Sequence, residues 1–138
     1  MRIEWSDAYQ VGDPEIDEQH RTWFERINAF LEAPDAQTLA SVDVLMHQHV
    51  ADHFQQEEAL MRSVQYPAID EHVSQHKRLQ DSLDDISRGI AAETLDRTTL
   101  TKFLSNWLLS HIRVHDTKLH EYVTFRSHAR MELTKRVQ

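Results

Sequence analysis

The sequence contains no cysteine. This removes disulfides, thiolate zinc sites, cysteine-held iron–sulfur clusters and cysteine nucleophiles together, so any metal centre must use nitrogen and oxygen. Glycine and proline are scarce, with 2 and 3 residues, and the punctuation needed for many strands and tight turns is missing. Nowhere is there an apolar run long enough to span a bilayer. The opening Met1-Arg2-Ile3-Glu4-Trp5-Ser6-Asp7 also has no apolar stretch behind a basic end, so a cytoplasmic protein with no membrane partner is expected. Basic residues are outnumbered, 15 against 23 acidic, for a formal net charge of −8, and nucleic acid is not an expected partner. The imbalance is uneven: residues 1–100 carry 20 acids against 8 bases, and residues 101–138 carry 3 against 7. The basic end reads as a solvated helix rather than a binding surface.

What remains is a chain of 138 residues, the size of one domain with a real core, and residues 1–138 are read as a single domain. Helical periodicity runs through most of it. His20, Trp23, Phe24, Ile27, Phe30 and Leu31 follow the i, i+3, i+4, i+7 stripe of a first helix, expected from about Asp17 to Glu32 and broken by Pro34-Asp35. Leu39, Val42, Met46, Val50, His53, Glu57, Leu60, Met61 and Val64 draw a second stripe, ended by Tyr66-Pro67. A third runs from Ile69 through His72, Val73, His76, Leu79, Leu83 and Ile86 to Ile90, with a C-terminus expected near Gly89. Thr94 is a candidate N-cap for a fourth, carrying Leu100, Phe103, Leu104, Trp107, Leu108 and His111. The expected fold is all-α: an up-down-up-down four-helix bundle with an irregular N-terminal arm over residues 1–16 and a short, more charged C-terminal helix from Thr117.

Ten histidines are present, and they fall where a packing stripe should be apolar. An unpaired buried polar group costs on the order of 1–3 kcal/mol, so their placement needs a reason. His53 and Glu57 lie four apart on the second stripe, and His72 and His76 lie four apart on the third, each pair on one helical face. The first stripe adds His20 and the fourth His111. Imidazoles with a few carboxylates suit iron, zinc, copper or nickel rather than calcium or magnesium. Five imidazoles exceed what one tetrahedral zinc takes, and a carboxylate has two oxygens with which to span two ions, so two metals fit better than one. Neither His-Glu-x-x-His nor Glu-x-x-His occurs, which sets the chain apart from zinc proteases and from carboxylate-rich di-iron enzymes.

Taken in order, Val11-Gly12-Asp13-Pro14-Glu15-Ile16-Asp17-Glu18-Gln19-His20, His53-Phe54-Gln55-Gln56-Glu57-Glu58, Tyr66-Pro67 with His72 and His76, and Trp107-Leu108-Leu109-Ser110-His111-Ile112 with Asp116 resemble the bacterial hemerythrins over residues 5 to about 119. The resemblance implies two non-haem iron ions with dioxygen as their ligand. It implies one iron held by His72, His76 and His111, a second and more open one held by His20 and His53, and Glu57 and Asp116 bridging both. No group is transferred, so binding rather than catalysis is expected. A His-rich, carboxylate-poor shell gives little stabilisation to highly oxidised iron, which also favours reversible binding over oxygen activation. A di-iron oxidase, a peroxidase, a nitric-oxide-handling enzyme and an oxygen-sensing module are the competing readings. Phe24, Phe54 and Trp107 are candidate walls of the oxygen pocket, and a monomer is expected.

Spacing agrees with this set in one place and conflicts in another. Glu57, four past His53, shares its face, whereas Glu58 points roughly 140° away and is expected at the surface. Asp116 lies five past His111, and His115, four past, is the residue that a regular helix would turn inward. Asp116 is still preferred as the family position, which requires a π-type bulge or a helix end there. His47, His49, His120 and His128 are read as surface or hydrogen-bonded residues, although His49 sits four before His53.

Overall fold

The computed structural model describes residues 3–137, apart from the side chains of 101, 134, 136 and 137. Helix α1 spans Pro14–Glu32, α2 Ala36–Ser63, α3 Ile69–Ala91 and α4 Arg97–Ser110; a π-helical turn over His111–Asp116 then leads into α5, Thr117–Val137. Short connections make consecutive helices antiparallel. Helix α1 packs against α2 and α4, and α2 against α3, as an up-down-up-down bundle requires.

The helix ends follow local chemistry. Helix α1 begins three residues earlier than the apolar stripe suggests, because Asp13 accepts from the backbone N–H of Glu15 and Ile16 and Pro14 supplies a preset φ at the first position. The irregular arm is correspondingly shorter, with one 3-10 turn at Asp7–Tyr9; its residues 1 and 2 lie outside the described residues. The arm is pinned to α1 where the Ile3 N–H donates to Asn28 Oδ1 and Asn28 Nδ2 donates to the Ile3 carbonyl, both at 2.8 Å. Asp35 caps α2, which ends in a reversed turn with Gln65 at φ 53 and the Tyr66 N–H returning to Met61 O, before Pro67 prevents continuation. Gly89, expected near the end of α3, lies inside its last turn; Glu93 at φ 57 makes the reversal. Asp96 rather than Thr94 caps α4, accepting from the N–H of Thr98 and Thr99.

The C-terminal helix departs most from expectation. It has 21 residues, and it prolongs α4 through the π turn instead of standing as a short separate element. Among the described residues, no helix is long and apolar enough to cross a membrane.

Two apolar clusters fill the bundle. The larger contains Trp23, Phe24, Ile27, Phe30, Met46, Val50, Phe54, Leu79, Leu83, Leu104, Leu108 and Ile112. The smaller contains Met61, Tyr66 and Leu119, flanked by Ile69, Val73, Tyr122 and Val123. Along α2, α3 and the fourth rod, a buried layer of polar residues falls between members of the two clusters.

Candidate metal centre

The polar layer consists of His20 from α1, His53 and Glu57 from α2, His72 and His76 from α3, and His111 and Asp116 from the two ends of the π turn, all buried. Their potential ligand atoms form two groups, Glu57 with His72, His76 and His111, and Glu57 with His20, His53 and Asp116. Within each group the atoms lie within 4.8 Å of one another.

The two carboxylates divide their oxygens between the groups. Glu57 Oε1 faces His72 Nε2, His76 Nε2 at 3.1 Å and His111 Nε2 at 3.7 Å, while Oε2 faces His53 Nε2 at 3.3 Å. Asp116 Oδ1 faces His111 Nε2 at 3.1 Å and His72 Nε2 at 3.3 Å, while Oδ2 faces His20 Nε2 at 3.0 Å.

Asp116 reaches this position because the helix widens. In a regular α-helix a residue five positions on points ~140° away, but in a π turn the hydrogen bond runs from i to i+5 and brings that residue back over the first. The Thr117 backbone N–H and Oγ1 both donate to the carbonyl of Ile112, five residues earlier. His115 is thereby left at the rim, half-buried, with its ring centre 5.5 Å from that of His111 and 5.8 Å from that of His72, and it belongs to neither group of converging atoms.

In the metal-free protein these groups perturb one another strongly. Burial would raise the Glu57 carboxyl, but contacts with His111, His53, His72 and His76 outweigh it and hold the group well below the usual carboxylate range. Burial and the nearby charge of Glu57 likewise oppose ionisation of Asp116, and His111 and His20 overcome them, holding it far below its ordinary value. Burial disfavours the His111 imidazolium, yet the charge of Asp116 and contacts with both carboxylates hold it up to about 9. His72 is raised against burial by the same two carboxylates, whereas burial pushes His76 down.

Protons alone leave this layer poorly satisfied. Buried atoms without a hydrogen-bond partner include Nε2 of His20, His53, His72 and His111, Glu57 Oε2 and both Asp116 oxygens. These are the atoms that converge, and a cation is the partner that satisfies nitrogen lone pairs and carboxylate oxygens together. The donor set fits a pair of ions of the imidazole-preferring kind.

Aromatic rings surround the layer. Phe54 stacks on His76 with centroids 3.7 Å apart and planes at 6°, and Trp107 stacks on His111 at 4.6 Å and 13°. Phe24, expected beside them, makes its ring contacts with Trp5 and Tyr9 of the arm. Its neighbour Trp23, which the sequence reading placed on the stripe without a role, meets His53 edge-on at 5.7 Å.

The remaining histidines have other partners or positions. His49 Nε2–H donates to the Gln19 carbonyl at 2.9 Å, and His47 contacts Ser87 at 2.8 Å. His128 is exposed, but His120 corrects its expectation: it is buried, and among the described residues its Nε2 has no hydrogen-bond partner. Glu58 is a second correction, since it is half-buried with Oε2 3.3 Å from His76 Nδ1. Gln19, not singled out from the sequence, meets His53 Nδ1.

A helical bundle with a buried histidine–carboxylate layer of this kind defines a cation-binding bundle, and comparison with known proteins narrows the class. The hemerythrin HHE cation binding domain matches residues 11–123, and the chain belongs to this family. It is 27% identical to a myohemerythrin of Theromyzon tessulatum, over 83% of this chain and 88% of the relative. To a bacteriohemerythrin of Ralstonia nicotianae it is 28% identical, over 83% of each. A hemerythrin-like protein of Naegleria gruberi is 32% identical over 83% of this chain and 87% of its own length. The crystal structure of a wild-type hemerythrin superposes with a TM-score of 0.78 at 22% identity, covering 86% of this chain and 95% of that one, a likeness of fold.

Proposed function

We propose that this protein binds dioxygen reversibly at a non-haem di-iron centre, as a carrier, store or delivery protein. His72, His76 and His111 would hold one iron, His20 and His53 the other, and Glu57 and Asp116 would span both. The observation that carries this reading is the division of each carboxylate, with one oxygen toward each histidine group. Two ferrous ions held there would supply the reversible two-electron chemistry that dioxygen binding needs.

The protein's own residues account for the rest. Two carboxylates offset part of the four positive charges of two ferrous ions, which limits the cost of burying them. The His20 group contributes one histidine fewer than the His72 group, which leaves more room for a ligand on that side. Trp23, Phe54 and Trp107 cover the histidine rings and keep water from the site, slowing oxidative side reactions. The reading takes residues 1–138 as one domain, supported by the core shared among α1 to α4, and takes the protein to be a monomer of the cytoplasm.

Metal analysis with optical spectra of the reduced, oxygenated and deoxygenated protein tests the proposal. Two irons per chain and visible absorption that appears in air and disappears when oxygen is removed are expected. Irreversible oxidation, or sustained consumption of oxygen or peroxide per iron, would replace it with an enzymatic reading.

A further inference from the structure

Two of the five converging imidazoles have a side-chain acceptor at the outer ring nitrogen, and the two acceptors differ in charge. On the three-histidine side, His76 Nδ1–H faces the Glu58 carboxylate, Oε2 at 3.3 Å. On the two-histidine side, His53 Nδ1–H donates to the amide oxygen of Gln19 at 2.5 Å. That amide cannot turn freely, because Gln19 Nε2 donates to Gln56 Oε1 at 2.7 Å and the Gln19 backbone carbonyl accepts from His49 Nε2 at 2.9 Å. The His49 and His53 rings lie parallel, at 7° and 6.4 Å between centroids. Gln19, on α1, is thus held from three points on α2, and its oxygen is the only acceptor atom of its side chain.

A metal-bound imidazole commonly donates its outer N–H to an acceptor, which fixes the ring and its tautomer. A carboxylate in that role makes the ring more electron-donating than a neutral amide does. We propose that Gln19 is the positioning residue of the two-histidine side: it keeps the His53 proton on Nδ1, leaves Nε2 free toward Glu57, and, being neutral, makes this side the less electron-rich of the two. Glu58 does the reverse through His76. The inequality rests on the di-iron reading and adds to the difference in histidine number. Gln19 touches no metal and acts only through His53.

Anaerobic titration of the metal-free full-length chain with Co2+, followed by its visible absorption, tests the proposal in wild type, Gln19→Leu, Gln19→Glu and Gln56→Leu. Wild type should take up two ions. Gln19→Leu, which keeps the bulk but removes the acceptor, should weaken one of them by ~10–100-fold and leave the other unchanged. Gln56→Leu should weaken the same ion less. Gln19→Glu should restore the affinity and lower the midpoint potential of the iron-loaded protein below that of wild type, which a residue that merely ties two helices together would not do. If Gln19→Leu weakens both ions alike or neither, or if Gln19→Glu behaves as Gln19→Leu, the inference is overturned while two ions in wild type leave the di-iron reading standing. Fewer than two ions in wild type overturns both.

Discussion

Raising the pH should strengthen metal uptake while weakening the metal-free fold, and His111 sets the scale. Its imidazole is held up to about 9 from an ordinary 6.5, so at pH 6.5 only about one molecule in 300 has the ring neutral and able to ligate, against half at pH 9. A metal must displace that proton, and the apparent affinity should therefore rise by about two orders of magnitude over this interval from His111 alone. The stability of the metal-free fold runs the other way. A histidine whose folded value is raised stabilises fully below its unfolded value and loses that contribution as pH climbs through the folded one, here ~3 kcal/mol between 6.5 and 9. Glu57 and Asp116 are depressed, so their contribution is present above the ordinary carboxylate range and is lost as pH falls below it. The metal-free protein should accordingly be most stable between the ordinary carboxylate and histidine values. Competition of Zn2+ against a chromophoric chelator at pH 6.5, 7.5 and 8.5, with calorimetry in buffers of different ionisation enthalpy, reads affinity and proton release together. Constant affinity across that range, with no proton released, would refute the reasoning.

Other outcomes follow from single residues. Asp116→Ala should lose bound metal while His115→Ala retains both ions; metal content giving the opposite pattern would mean that the rim histidine, not the aspartate, is the ligand. Phe54→Ala, at a fully buried ring stacked on His76, should cost about 3–5 kcal/mol in denaturant unfolding and hasten oxidation of the oxygenated protein. Asn28→Ala removes both hydrogen bonds that pin Ile3 and should cost about 1–3 kcal/mol, with faster amide exchange across the arm.

The bundle and most of the polar layer were legible in the sequence because helices α1 to α4 write their buried faces at a fixed period. His53 with Glu57 and His72 with His76 needed only that period. Asp116 did not yield to it, since a π turn leaves no reliable mark in residue types, and helical geometry alone favoured His115. The resemblance of the ordered motifs, not the spacing, selected the aspartate. Trp23 and Phe24 are neighbours on one stripe, and only tertiary structure shows that the first meets His53 and the second meets the arm. Gln19 escaped notice and Glu58 was expected at the surface because their partners are 34 and 18 residues away, a separation at which local pattern carries no information. The Asp13-Pro14 start of α1 was a missed local signal: the cap lay just ahead of the stripe used to locate the helix.

The π turn also bears on the chain beyond it. Leu100, Leu104, Leu108, Ile112, Asp116 and His120 are all buried at strict intervals of four, and on an unbroken α-helix that series would swing ~200° around the axis. Unwinding at His111–Asp116 takes back part of the drift and keeps the later members on the inner side. Forcing the turn into a regular α-helix with every residue kept would do more than move an aspartate: Leu119 and His120 would be thrown out of phase with the rest of the bundle, and the end of the core would have to be rebuilt.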